Sequence, residues 1–302
     1  MTSSEALARN ARLSEEPWQT SESARSLFTG TVQSLRAIAA QRELLALLVR
    51  RELKARYKDS SLGFLWSLLR PLAILIVYYV AIGKFLGAER AIPDFAIYIF
   101  TGLIIWQLFS EVVSSSTASI VGNAGLVRKV YLPREVFPLS TVGSALFTYV
   151  TQLVILVAAV VIVGRVPTGS RLWYLPLSLA VVLVFATAVG LALAAVNVYL
   201  RDVQYLVEIC LTILFWASPV VYSWRLVRDT LGDSWLADIY LNNPVTLAVL
   251  GMQRATWVAG TDEPFPDGLG TRLVIALLVG AVLLWLSQRL FNRLEGNFAQ
   301  EL

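Results

Sequence analysis

The stretch RRELKARYKDSSLGFLWSLLRP, Arg50 to Pro71, decides the fold. Five cations, Arg50, Arg51, Lys54, Arg56 and Lys58, fall within nine residues. The chain then enters an apolar segment, Leu72 to Leu86, whose only charge is Lys84 near the far end. Dense positive charge against a long apolar run marks the place where a chain passes from water into a bilayer. From Val32 to Lys58 the pattern is helical. At about 100° per residue, Leu44, Leu45, Leu48, Val49 and Leu53 share one side, while Glu43, Arg50, Lys54 and Lys58 gather on the other; Leu47, Glu52 and Arg56 blur the pattern. A basic amphipathic helix beside a membrane lies in the interface plane. Residues 32–67 are therefore expected to form a cytoplasmic amphipathic interface helix, either a plain surface anchor or a helix that also touches a partner.

Composition points the same way. Of 302 residues, 57% are hydrophobic and 15% are charged, against about 25% charged in a soluble domain. The expected fold class is an all-α membrane protein. The net charge of +4 fits cytoplasmic Lys and Arg and not a nucleic-acid partner. With no histidine and one cysteine, Cys210, inside an apolar run, the chain offers no ligand set for zinc, haem or an iron–sulfur cluster and no histidine base.

Residues 1–31 are polar and mixed in charge without an apolar core segment. They are read as a disordered cytoplasmic tail and not as a signal peptide. Residues 68–302 are read as a transmembrane domain of six helices, near Leu68–Leu86, Phe95–Val113, Leu139–Val163, Trp173–Tyr199, Val203–Tyr222 and Leu273–Phe291. Pro71 is assigned to the first turn of its helix, where a missing N–H costs nothing. Eight Lys/Arg residues lie in residues 32–70 and two, Lys84 and Arg90, in the loop after the first span. Positive-inside then places both termini in the cytoplasm, and Ser114–Pro138 with them. The loop 223–272 lies outside. Its short apolar run, Val245–Leu250, cannot span and reads as a re-entrant or interfacial helix.

No G-x-x-x-x-G-K-[ST] phosphate loop occurs, because Gly83-Lys84 lacks the upstream glycine, so no ATP site of its own is expected. Glu111, Glu208, Arg201 and Asp202 fall near span ends and read as interfacial or paired charge instead of a proton relay. Ala186, Gly190 and Ala194 recur every four residues on one face, which suits close helix packing within one subunit or at a dimer seam. Tyr79 and Tyr149 lie deep in spans and are candidates for a glycan path, since aromatic rings suit the C–H faces of sugars; interface anchoring competes. The loop NAGLVRKVYLPREVFPL, residues 123–139, carries Arg128, Lys129, Tyr131, Pro133, Arg134 and Glu135. A short basic segment with an aromatic between two spans is a candidate docking peg; a solvated connector is the alternative.

Taken in order over about residues 41–302, several motifs resemble the permease subunit of a type-2 ABC exporter, in the polysaccharide and polyol-phosphate branch that handles O-antigens, teichoic acids and galactan. They are Arg51-Glu52-Leu53-Lys54 with Arg56-Tyr57-Lys58, Ser61-Leu62-Gly63, Leu65-Trp66, Pro71, Lys129-Val130-Tyr131 with Pro133-Arg134-Glu135, Asn197 with Arg201-Asp202-Val203, Ser218-Pro219-Val220 with Tyr222, and Asn243-Pro244. The resemblance implies a non-enzymatic permease in the cytoplasmic (inner) membrane. It implies a second copy of the chain and two separate ABC ATPase subunits, which hold the ATP and magnesium. It also implies a lipid-linked glycan as cargo, an interface helix bearing Arg50, Arg51, Lys54, Arg56 and Lys58, and ATPase coupling through residues 128–135. Three rivals stay open: a lipid or drug exporter of the same class, an ion-coupled glycan flippase, which calls for charged residues at mid-membrane, and a polytopic glycosyltransferase, for which the cytoplasmic loops offer only Glu135 and Asp202.

Overall fold

The computed structural model describes residues 40–57, 65–129, 132–232 and 234–302. The expected tail 1–31, the start of the interface helix at 32–39, Lys58 and Tyr131 lie outside these residues. No strand occurs among the described residues. Among the described residues, five helical stretches are long and apolar enough to cross a bilayer: Leu68–Phe85, Phe95–Gly122, Val136–Val163, Gly169–Tyr199 and Leu269–Glu301.

Helix α1, Arg42–Tyr57, precedes them, with Glu43 in its first turn and Lys54 and Arg56 in its last, the charge order that a helix dipole favours. Leu48 is buried and Leu44 and Leu45 are partly so, while Leu47 points out. Helix α2, Trp66–Tyr78, continues as a π-helical turn, Tyr79–Phe85. Pro71 falls in the second turn of α2 and not the first, so it removes one i→i−4 bond inside the helix. After the short α3, Ala88–Ala91, helix α4 runs from Phe95 to Gly122 and is buried along most of its length.

Helix α4 outlasts the expected span, Phe95–Val113, by nine residues, and the expected loop 114–138 shrinks accordingly. The polar run Ser114–Ser119 resembles a loop in composition, yet the hydroxyls of Ser116, Thr117 and Ser119 are satisfied within the bundle. Thr117 donates to the Val113 carbonyl at 2.7 Å and Ser119 to Ser116 at 2.7 Å. The Ser116 hydroxyl pairs with that of Thr141 at 2.7 Å. A six-residue helix α5, Ala124–Lys129, then leads to α6, Val136–Val163.

Helix α7, Tyr174–Tyr199, follows a 3-10 turn, Gly169–Trp173. Its small residues serve the crossing within the chain: Ala186 and Ala194 are fully buried, and a Cβ on Gly190 would come within 2.8 Å of the Ser116 Cβ on α4. Helix α8, Val203–Trp216, has 14 residues, or about 21 Å, short of the roughly 30 Å hydrocarbon thickness. The expected fifth span, Val203–Tyr222, is thus helical only to Trp216, and the chain turns from 217 to 222 ahead of and around Pro219. Even so, the segment runs beside α4 from one end toward the other. The Gln204 amide donates to Ser114 at 3.2 Å, and the Tyr98 hydroxyl donates to the Tyr222 carbonyl at 2.7 Å. Those two α4 positions stand about 24 Å apart along the axis.

Two short helices, α9 (Trp224–Leu231) and α10 (Trp235–Asn242), lead to α11, Pro244–Thr256. Asn243 caps α11 by accepting from the Val245 N–H, and Pro244 occupies its first turn. The short apolar run expected at Val245–Leu250 is the first half of a helix buried almost throughout and packed against α4 and α7. Arg171 closes its far end, donating to the carbonyls of Arg254 and Trp257. Helix α12, Leu269–Leu294, ends in a 3-10 turn, Glu295–Asn297, and a last turn, α13, Phe298–Glu301. The large core lies among α4, α6, α7 and α11. A second, smaller core gathers Leu48, Ile120, Val127, Phe137, Val198, Phe291 and Phe298 at the end of the bundle that carries α1.

If Gly190 is the contact that lets α4 and α7 approach, Gly190→Ala is expected to cost about 1–3 kcal/mol. The measurement is a lowered unfolding temperature of the purified chain in detergent. An unchanged midpoint rejects this assignment.

Candidate functional site: a cleft between α2, α4 and α8

Along α4, Gln107, Ser110, Glu111, Ser114 and Ser115 recur at i, i+3, i+4, i+7 and i+8, which sets them on one helical face. All five line a cleft of about 940 Å³. The facing walls carry aromatic rings: Trp66 and Tyr78 from α2, Phe215 and Trp216 from α8, with Trp106 of α4 between them. Four of these rings, Tyr78, Trp106, Phe215 and Trp216, contact one another. Trp106 meets Phe215 edge-on at 5.4 Å, Tyr78 lies 6.0 Å from Phe215, and Phe215 meets Trp216 at 5.4 Å between centroids. Arg70, Thr148, Glu208 and Thr212 add polar atoms. Hydrogen-bonding groups thus face apolar ring surfaces across one space, a lining that accepts the hydroxyls and C–H faces of a sugar together.

Helix α1 reaches this cleft through its ionic side chains. Arg56 Nη1 stands 2.6 Å from Glu111 Oε1 and donates to Thr148 Oγ1 at 3.1 Å. The carboxylate contact is an ion pair held by charge more than by an aligned N–H. One turn earlier, Glu52 accepts from Ser140 at 2.5 Å and from Ser144 at 3.1 Å on α6. Arg51 donates to Asn123 Oδ1 at 2.6 Å, where α4 meets α5. Glu52 and Arg56, which blur the amphipathic pattern, are the side chains that fasten α1 to the spans. Arg50 and Lys54 remain exposed on its other face.

The expected docking segment divides in two. Arg128 and Lys129, in the last turn of α5, are exposed. The Arg134 guanidinium instead lies over the Phe298 ring at 5.7 Å. Glu135 is 3% exposed and accepts from the Gln288 amide at 3.2 Å. Pro133 precedes α6, its carbonyl accepting from the Val136 N–H.

Tyr79 and Tyr149 do not line the cleft. The Tyr79 hydroxyl donates to Glu89 at 3.1 Å, beside Lys84, which bonds the same carboxylate at 2.8 Å. The Lys84 hydrogen bond, helped by that of Tyr79, holds the Glu89 carboxyl below its ordinary range. Tyr149 is 2% exposed, with its hydroxyl against the Met252 sulfur on α11. Depth in a span selected both tyrosines, but depth does not tell which side of a helix faces the cleft. The polar stripe of α4 carries a legible period; ending the span at Val113 cut it in two. Among the described residues no group of three carboxylates or thiols gathers as a metal site.

A bundle of long apolar helices around a polar-and-aromatic cleft is the build of a membrane transport protein. The chain belongs to the ABC-2 type transporter family, whose model matches residues 43–256. It is 32% identical over 271 residues to the O-antigen export system permease protein RfbA of Myxococcus xanthus, covering 90% of this chain and 100% of that one. It is 27% identical over 260 residues to the protein of the same description from Klebsiella pneumoniae, covering 85% and 94%. The polysialic acid transport protein KpsM of Escherichia coli matches at 27% identity over 178 residues, 57% of this chain and 67% of that one.

The ion pair at the cleft predicts measurable coupling. In a double-mutant cycle of Arg56→Met and Glu111→Gln, thermal unfolding is expected to show an interaction energy of roughly 1 kcal/mol, the figure for a partly exposed pair. Additive effects reject the pair as a fastening.

Proposed function

We propose that this chain is the permease subunit of an ATP-driven exporter that moves a lipid-linked polysaccharide or polyol-phosphate polymer out of the cytoplasm. The observation that carries this reading is the cleft, with the α4 polar stripe facing the rings of α2 and α8. A polymer of sugars slides along such a surface without any one strong site, because hydroxyls and ring faces recur with every residue of the chain. The similarity to O-antigen and capsule permeases supports the same cargo class.

The permease works as a homodimer. The outer faces of α2 and α8 beside the cleft expose Trp66, Leu69, Tyr205, Ile209 and Ile213, and a second copy there would close two half-clefts into one path. Segment 203–222 makes the sixth crossing, its short helix completed by the turn around Pro219. Helix α11 is the re-entrant helix of the outer side, and both termini face the cytoplasm of the inner membrane, as the Lys/Arg bias directs. Two ABC ATPase subunits, holding ATP and magnesium, dock on the segment from α5 to the start of α6, with the exposed Arg128 and Lys129 as contacts and Tyr131 added to them by the family resemblance alone. ATP supplies the differential binding free energy that shifts the permease between states; the chain itself performs no bond chemistry.

The cargo reading is tested at Gln107→Leu and Trp216→Ala. Trp216 is 56% exposed, so its removal leaves the core intact. Each variant is expected to lower glycan export in cells about tenfold while still co-purifying with its ATPase. Normal export by the double variant excludes the cleft as the path. Docking is tested separately with Arg128→Glu and Lys129→Glu together, which are expected to weaken ATPase co-purification at least tenfold, since charge reversal at a complementary interface costs affinity. In a Cys210→Ser background, a cysteine at position 128 should resist an impermeant maleimide in intact cells. Retained ATPase binding, or labelling from outside, overturns the docking assignment.

A further inference from the structure

The last turn of the chain's described residues is built like a plug. Phe298 is completely buried, although it sits in a four-residue helix with exposed neighbours. Its ring meets Phe291 of α12 at right angles, 5.4 Å between centroids, and Tyr199 at the end of α7, 6.2 Å away. The Tyr199 hydroxyl donates to the Leu294 carbonyl at 2.8 Å, pinning the end of α12 where this turn begins. Over the same ring lies the guanidinium of Arg134. One residue on, buried Glu135 takes the amide of Gln288, which comes from α12 three residues before Phe291. The end of α12 and its last turn therefore hold the α5–α6 connector from two sides, by a ring against Arg134 and an amide against Glu135. Val127 of α5 belongs to the same small core. On the opposite flank, Arg51 of α1 fixes Asn123.

We propose that Phe298 and Gln288 are positioning residues for ATPase engagement: they brace α5 and residues 132–135 so that the exposed cations of α5 are presented in a fixed attitude. This rests on the docking reading given above. The physical reason is entropic. A connector of 13 residues between α4 and α6 loses backbone freedom when a partner orders it, and each residue so fixed costs about 1–2 kcal/mol. A connector already held by buried contacts loses less on docking, and it transmits a push without yielding. Neither Phe298 nor Gln288 lines the cleft.

The experiment uses the full-length permease, purified in detergent, and its co-expressed ATPase. Phe298→Ala removes the ring; Phe298→Leu keeps an apolar plug and serves as the conservative rescue; Gln288→Ala removes the amide alone. Phe298→Ala is expected to weaken ATPase affinity about tenfold and to raise hydrogen exchange at residues 123–129 in the permease without its ATPase. Phe298→Leu should stay close to wild type in both, and Gln288→Ala should lose affinity several-fold. Wild-type affinity and exchange in Phe298→Ala overturn the proposal. If that variant fails to insert, wild-type affinity in Gln288→Ala overturns it. A failure of the docking reading itself is distinguishable, because the Arg128→Glu, Lys129→Glu variant would then bind the ATPase normally. Loss of binding in that charge-reversal variant together with normal binding in Phe298→Ala rejects the brace alone.

Discussion

A polar side chain inside a bilayer must find a partner in another helix, in its own backbone, or in a water-filled space, because hydrocarbon offers none. Helix α4 sorts its polar residues among all three. Thr101 and Thr117 turn back to carbonyls one turn earlier. Ser116 bonds across to α6, and the Thr117 carbonyl accepts from Asn197 of α7. Gln107, Ser110, Glu111, Ser114 and Ser115 face the cleft. This division makes α4 the axis of the fold. Its dry faces take α6, α7 and α11, and its remaining face lines the cleft.

The same rule explains how a water-facing helix becomes part of the bundle. Helix α1 brings Arg51, Glu52 and Arg56 to Asn123, to two serines of α6 and to Glu111. The hydrogen bonds to the Glu52 carboxylate contribute about 1.5–3 kcal/mol each, and the partly exposed Arg56–Glu111 ion pair roughly 1 kcal/mol. Because Glu52 grips α6 and Arg56 reaches α4, a displacement of α1 pulls on both walls of the connector that holds α5. The Arg56–Glu111 pair also places this grip on the cleft lining, so the position of α1 and the shape of the cleft are tied through one carboxylate.

At the other end of the bundle, α11 is held without lipid contact along most of its length. Trp257 donates to the Pro93 carbonyl at 2.7 Å, Gln253 to Pro219 at 3.2 Å, and Thr256 shares its hydroxyl with Thr101 at 3.0 Å. A cap by Asn243 and closure by Arg171 satisfy both ends of the helix. These bonds supply the partners that a short helix inside a membrane protein requires.

The amino-acid sequence by itself determined the membrane class, the apolar runs, a basic helix at α1 and the short apolar segment within α11, because each is a local property of hydropathy and helical period. It also carried the family motifs. Other features came only with tertiary structure. Whether Ser114–Ser119 is loop or helix depends on whether other helices stand beside it to pair its polar groups: Thr141 of α6 pairs with the Ser116 hydroxyl and Asn197 of α7 donates to the Thr117 carbonyl. Whether Val203–Tyr222 is one helix depends on the turn at 217–222, which Gln253 and Asn243 anchor through the carbonyls of Pro219 and Ala217. Tyr149 and Glu135 carry side chains suited to a path and to a docking surface, yet the folded chain turns the first into the core against Met252 and the second onto Gln288. Hydropathy reports how deep a residue lies, while the direction it faces is set by which helices pack around it, and that packing is a sum of long-range contacts that no local window contains.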